Sequence, residues 1–267
     1  MKNNNMPLID MMSMSGKTVT VTGAANGIGE AIAKRYAELG ASLQLIDIDD
    51  SSLEKVSNKL RLDYGTKVTS AVVDLSDMQE ITKYWSKQSS APDVLINNAG
   101  IFWPLKLEQI DKQSYDKMMS VNTESVIWMC REMIIRRGNN AGTIINISSI
   151  EATVGMTDDM LLYGASKAAL LAISRSLVKD YGDKGWKINT ILPGGVSTPG
   201  TKQLGLNAIK KFDLSIIKTG FKYGLRKPGK NMGEPDDIAR AAVWLGTPLS
   251  DYMNGSEIVI DGGFLAV

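Results

Sequence analysis

Residues 17–29 read KTVTVTGAANGIG. Lys17–Thr22 is rich in valine and threonine, β-branched residues that favour a strand. It runs directly into Thr22-Gly23-Ala24-Ala25-Asn26-Gly27-Ile28-Gly29. From Asn26 to Leu39, residues Ile28, Ile32, Tyr36 and Leu39 fall on one helical stripe. In a strand, glycine turn and helix in that order, the backbone can approach a pyrophosphate. The helix N-terminus then offers its free N–H groups to the negative charge. A plain turn between strand and helix has similar composition, so the order of the three parts carries the reading.

The same alternation continues outward. Strands are expected at Ser42–Asp47, Val68–Val73, Asp93–Ile96, Thr143–Ile147, Lys187–Leu192 and Glu257–Ile260. Helices are expected at Ser51–Leu62 with Ser51 as cap, Asp77–Gln88, 108–137 in two pieces, Tyr163–Tyr181 and Asp236–Leu245 after Pro235. Repeated β-α units imply an α/β fold: a Rossmann-like, doubly wound parallel sheet of about seven strands with helices on both faces. Residues 1–15 read as a flexible arm and 16–267 as one domain. The stretch 198–233 lacks strand character and reads as a substrate lid.

Among the 267 residues there is no histidine and one cysteine, Cys130. Ser–His–Asp and Cys–His catalysis are excluded, as are disulfides within the chain and metal sites built on histidine or thiolate clusters; no metal is expected. Chemistry is left to Tyr, Lys, Ser, the carboxylates or a cofactor. Thirty basic residues stand against 29 acidic ones, a net charge of +1, which argues against broad binding to nucleic acid or membrane. No apolar run suggests a membrane span and the first residues make a poor signal peptide, so a cytoplasmic protein is expected. Cys130, in the apolar run SVIWMC, reads as a packed small hydrophobe.

The second strand ends at Asp47, 24 residues after Gly23. A carboxylate there can accept both hydroxyls of an adenosine ribose and would repel a 2′-phosphate. Ile48 follows it, and Asn26 stands where a base could have met that phosphate. NAD is therefore expected rather than NADP. The plain alternative is a solvated strand-end acid in the run Asp47, Asp49, Asp50.

With these residues in view, the sequence resembles the short-chain dehydrogenase/reductase family from about residue 16 to 263. The glycine motif is Thr22 to Gly29, and Asp74-Leu75 matches the acid that contacts adenine. Asn97-Asn98-Ala99-Gly100, Asn122 in SVNTES, Ile147-Ser148-Ser149, Tyr163 with Lys167, Pro193-Gly194 with Val196 and Thr198, and GSEIVIDGG follow in order. The resemblance implies a catalytic set of Asn122, Ser149, Tyr163 and Lys167. It implies cofactor contacts from Gly23, Asn26, Gly27, Ile28, Gly29, Asp47, Asp74, Leu75, Asn98, Ala99, Gly100, Tyr163, Lys167, Pro193, Gly194, Val196 and Thr198. By the same resemblance Lys167 binds the nicotinamide ribose, Asn122 holds a water in a proton relay, and the chain forms a homotetramer or homodimer through helices near 108–137 and 163–181. One departure stands out. The family's serine lies about thirteen residues before its tyrosine, whereas Ser149 lies fourteen before Tyr163 and Ser148 fifteen. Ser149 is assigned the role, with Ser148 as the alternative.

Tyr163 and Lys167, four apart on a helix, share a face. A tyrosine of pKa about 10 needs a depression of roughly 3 units to act as a base near neutral pH. A nearby ammonium and an oxidised nicotinamide both push that way. On the substrate side, residues 201–232 hold seven lysines and Arg226 against Asp213, a net +7 that suits an anionic substrate or simply a solvated face. Trp103, Met156 and Met160 are candidate pocket walls, and Glu151 could bind a polyol or face solvent. The function that follows is an NAD(H)-dependent oxidoreductase acting on a small secondary alcohol or ketone. The alternatives are a 3-oxoacyl-thioester (acyl-carrier-protein) reductase, a dinucleotide-binding sensor without turnover, and a non-redox lyase or epimerase on the same fold.

Overall fold

The structure, a computed structural model, describes residues 6–210 and 232–266. Seven parallel strands form one sheet in the order β3-β2-β1-β4-β5-β6-β7. They are β1 (Thr18–Thr22), β2 (Ser42–Asp47), β3 (Val68–Val72), β4 (Val94–Asn97), β5 (Thr143–Ile147), β6 (Lys187–Pro193) and β7 (Glu257–Ile260). The described helices are α1 (Leu8–Met11), α2 (Gly27–Glu38), α3 (Asp50–Tyr64), α4 (Met78–Ser86), α5 (Lys112–Met119), α6 (Ser125–Arg137), α7 (Leu161–Tyr181), α8 (Pro199–Lys210) and α9 (Pro235–Gly246).

Neighbouring strand residues go to opposite cores, as a sheet covered on both faces requires. Leu95 and Ile144 join Trp85, Met129 and Cys130 on one face. Ile96 and Ile145 join Ile32, Ile238 and Ala242 on the other. The strand order reverses between β1 and β4, and such a switch point opens a crevice at the carboxyl ends of the strands. The glycine turn after β1 and the Asn98 segment after β4 both lie there.

Several details differ from the sequence expectation. Helix α3 is capped by Asp49, whose carboxylate accepts from Ser52 N, and not by Ser51. Helix α7 begins at Leu161, two residues before Tyr163. In the expected arm, residues 1–5 lie outside the described residues. Of the rest, Leu8–Met11 is an exposed helical turn with no buried residue, while Met14 is buried with its N–H on Leu39 O at 2.9 Å. Of the expected lid, 199–210 is helix α8, and 211–231, which carries most of the basic residues, lies outside the described residues. Leu161–Lys184 is long and apolar enough by composition to cross a membrane. It is nonetheless a core-facing helix, with Leu162, Ser166, Lys167, Leu170 and Leu171 buried.

Candidate active site

The crevice has two ends. At the nucleotide end, α2 starts at Gly27 after Asn26, whose side chain makes no capping bond, so among the described residues its first N–H groups have no side-chain cap and are open to the crevice. Gly29 is there because nothing larger fits: a Cβ would lie 2.0 Å from Gly23 O. Thr22 and Asn98 brace the turn. Asn98 Nδ2 donates to Thr22 O at 2.9 Å and to Gly23 O at 3.1 Å. Thr22 Oγ1 accepts from the N–H groups of Asn98 and Ala99 at 2.9 and 3.0 Å. A cradle of this shape, closed to a Cβ at Gly23 and Gly29 and lined by helix N–H groups, fits the pyrophosphate of a dinucleotide.

Asp47 closes the cradle on the β2 side. Its Oδ2 accepts from Ala25 N at 2.9 Å, and its Oδ1 from Ile48 N at 2.7 Å and Asp49 N at 3.0 Å. Val73 N donates to Asp47 O, so Asp74 and Leu75 follow beside it. Leu75 is buried. Asp74 Oδ1 accepts from Ser76 N and Oγ at 2.8 and 2.6 Å, and Lys117 reaches its Oδ2 at 3.3 Å. Burial pushes the Asp74 carboxyl up, but the Ser76 bonds and Lys117 outweigh it and hold it below its usual range. On the far side, Gly194 N is held by Ile260 O, and Val196 bridges Gly233. Thr198 sits over Gly27, so the segment after β6 covers the glycine turn.

At the other end, β5 delivers Ser148 and Ser149 and α7 delivers Tyr163 and Lys167. Lys167 is buried with its Nζ on Ile147 O at 2.9 Å and 6.0 Å from the Tyr163 ring centroid. Burial lowers its pKa to about 8. Tyr163 is pushed up to about 12, first by burial; the Ser149 hydroxyl facing it pulls it down and the Glu151 carboxylate pushes it further up. The protein alone therefore holds a protonated phenol, and a shift toward a base must come from a positive charge bound beside it. The two serines separate by their bonds. Ser148 Oγ donates to Lys167 O at 2.9 Å, inside the fold, while Ser149 faces Tyr163.

The family described as "Enoyl-(Acyl carrier protein) reductase" matches residues 23–265. The chain is 32% identical to a 3-oxoacyl-(acyl-carrier-protein) reductase of Chlamydia trachomatis, over 92% of this chain and 96% of the relative. It is also 32% identical to the D-threitol dehydrogenase of Mycolicibacterium smegmatis, over 94% of each. The chain belongs to the short-chain dehydrogenase/reductase family. It is an oxidoreductase. A solved structure from Beutenbergia cavernae, described as an NAD(P)-dependent gluconate 5-dehydrogenase with NADP bound at low occupancy, superposes with a TM-score of 0.86. It is 28% identical, over 96% of this chain and 99% of that one.

In this short-chain dehydrogenase/reductase, Asn122 lies in a π-helical turn, Ser120–Glu124, between α5 and α6, and is buried. Its Oδ1 accepts from Ile101 N at 2.8 Å; its Nδ2 donates to Ile101 O at 2.9 Å and Ser166 Oγ at 3.0 Å. The side chain thus ties the segment after Gly100 to α7, and both amide hydrogens are used. Gly100 itself borders Lys167 Nζ. The aromatic wall is Phe102, whose ring centroid lies 5.9 Å from that of Tyr163. Trp103, the candidate wall expected from the sequence, is half-buried next to it in the chain. Met160 is buried, and Met156 packs against the cluster of Ile150, Leu171, Leu192 and Phe264.

Proposed function

We propose that the protein is an NAD(H)-dependent oxidoreductase that interconverts a secondary alcohol and a ketone, with Tyr163 as general acid/base. The observation that carries this reading is the placement of Tyr163 and Lys167 on one face of α7, opposite Ser149 and next to a glycine cradle. When bound, the nicotinamide takes or supplies the hydride.

The protein's own groups handle the proton. Ser149 holds the substrate oxygen by a hydrogen bond and Tyr163 exchanges a proton with that oxygen. In reduction the phenol donates, which matches its raised pKa. In oxidation it must first lose its proton, a loss that the Lys167 ammonium and the positive ring of a bound oxidised nicotinamide would favour. Lys167 would also hold the ribose hydroxyls of a bound nicotinamide nucleotide. Asn122 fixes the backbone of Ile101, and so the wall on which Phe102 stands. Asp47 supports NAD because a 2′-phosphate would have to displace a carboxylate that three backbone N–H groups already hold. The Beutenbergia cavernae relative holds NADP at low occupancy, so the comparison of the two cofactors tests Asp47 directly.

A turnover screen monitored by reduced-cofactor absorbance, with both cofactors and with polyols, sugars, hydroxysteroids and 3-oxoacyl thioesters, tests the reading. A higher kcat/KM with NAD(H) on an alcohol or ketone is expected. Preference for NADP(H) would remove the role given to Asp47, and tight cofactor binding without turnover would favour a sensor. The second reading is a 3-oxoacyl-thioester reductase, favoured by the Chlamydia trachomatis relative and by the basic stretch 201–232. Activity confined to acyl thioesters would establish it. Assembly as a homodimer or homotetramer through α5, α6 and α7 follows from the family resemblance and is read by light scattering.

A further inference from the structure

Glu151 lies two residues beyond Ser149 and has no role in the mechanism above. Its carboxylate accepts from Met156 N at 3.1 Å on one oxygen and from Thr157 N at 3.0 Å on the other. Both N–H groups belong to the loop that leads to α7, so the side chain closes that loop on its own start. The main chain of Glu151 is equally engaged. Its N–H donates to Ser149 Oγ at 3.2 Å. Its carbonyl oxygen lies against α7 beside Tyr163, where a Cβ on Gly164 would come within 3.1 Å of it. Met156, held at its N–H by the carboxylate, packs its side chain under Ile150 with Leu171, Leu192 and Phe264. One residue thus touches Ser149, the loop and the helix that carries Tyr163. The polyol-binding role open to Glu151 on sequence grounds is weakened, since each carboxylate oxygen already accepts from the loop.

We propose that Glu151 is a positioning residue: it holds the loop between Ser149 and Tyr163 in one geometry and, by the same contacts, fixes one negative charge beside the Tyr163 hydroxyl. The inference rests on the reading of Tyr163 as the acid/base. Among the described residues, the charged groups facing Tyr163 are Glu151 from the segment after β5 and Lys167 from α7; Phe102 and Ser149 face it without charge. In alkaline solution Lys167 loses its charge, its pKa being about 8, which leaves Glu151 as the charge facing the phenol among the described residues. A fixed anion there keeps the proton on Tyr163, the form that donates to a carbonyl.

The test uses the full chain with Glu151→Gln, which keeps the shape and removes the charge, and Glu151→Ala, which removes the acceptor. Tyr163 is titrated as the phenolate absorbance lost on Tyr163→Phe in each background, recorded after a pH jump. The midpoint is expected to fall by on the order of half a pH unit in Glu151→Gln. Amide hydrogen exchange at Met156 and Thr157 is expected to quicken at least about tenfold in Glu151→Ala, a local opening. An unchanged midpoint in Glu151→Gln overturns the charge role, whatever happens to stability. Unchanged exchange in Glu151→Ala overturns the loop role. If Glu151→Ala does not fold, exchange in Glu151→Gln replaces it, and a slower or equal rate there counts against the proposal. None of these readouts needs turnover, so a screen that finds no redox activity refutes the proposed function and not the positioning role.

Discussion

The two ends of the crevice are built differently. At the nucleotide end almost every polar motif group already has a partner in the chain: Thr22, Asn98 and Asp47 together receive or supply bonds to the backbone of the glycine turn. At the catalytic end the ionisable groups are buried with little compensation, and both are displaced from their usual pKa, Tyr163 to about 12 and Lys167 to about 8. The first end is a rigid cradle, complete without its guest. The second holds groups whose proton balance a bound positive ring would alter. Mutations at the cradle should therefore affect stability and cofactor affinity together. Mutations at the catalytic end should separate turnover from binding.

Gly29→Ala should do the most damage to the cradle, because its Cβ would overlap Gly23 O. A loss of about 3 kcal/mol of stability is expected by denaturant unfolding, with cofactor affinity falling at least tenfold. Wild-type stability with intact affinity would break the picture of a closed cradle.

Lys167→Met tests the catalytic end through pH. In the folded chain Lys167 has a pKa of about 8 against an ordinary value of 10.5, so the unfolded chain binds the extra proton between those values. The cost of burying the charge is fully present below about 8, and wild-type stability relative to the variant rises as pH climbs from about 8 to 10.5. The rise should be on the order of 3 kcal/mol. Parallel stability curves for the two proteins would contradict it.

Asn98→Ala removes two bonds to the turn carbonyls, Thr22 O and Gly23 O. A loss of about 2 kcal/mol and a raised KM for cofactor with nearly unchanged kcat are expected. A fall in kcat alone would place Asn98 at the other end of the comparison. The smallest effect is expected from Asp47→Ala, which should shrink the ratio of kcat/KM for NAD(H) over NADP(H) about tenfold, or roughly 1.4 kcal/mol. An unchanged ratio would leave Asp47 as a brace for the turn and nothing more.

Short-range features were readable in the sequence. The runs SLQLID, TIINI and EIVI are strands with the expected ends, and the glycine turn sits where strand, turn and helix require. Spacing left Ser148 and Ser149 open, because either could have faced Tyr163; their partners are set by how β5 meets α7. The π turn at Asn122 depends on a contact with Ile101, 21 residues away, and no local pattern announces it. Phe102 and Glu151 were missed or undecided for the same reason. An aromatic turned inward and a carboxylate closed on its own loop are products of packing, not of periodicity. Asp49 displaced Ser51 as the cap of α3 because both residue types cap well and only the chain direction after β2 chooses between them.

The central claim is that Tyr163 moves the proton while the cradle binds the cofactor independently. Its most direct test compares kcat and the cofactor dissociation constant in wild type and Tyr163→Phe, on whichever alcohol or ketone the screen yields. In Tyr163→Phe, kcat is expected to fall by about a thousandfold or more while the dissociation constant changes by less than about threefold. Turnover retained within about tenfold, or cofactor binding lost along with it, would contradict the account.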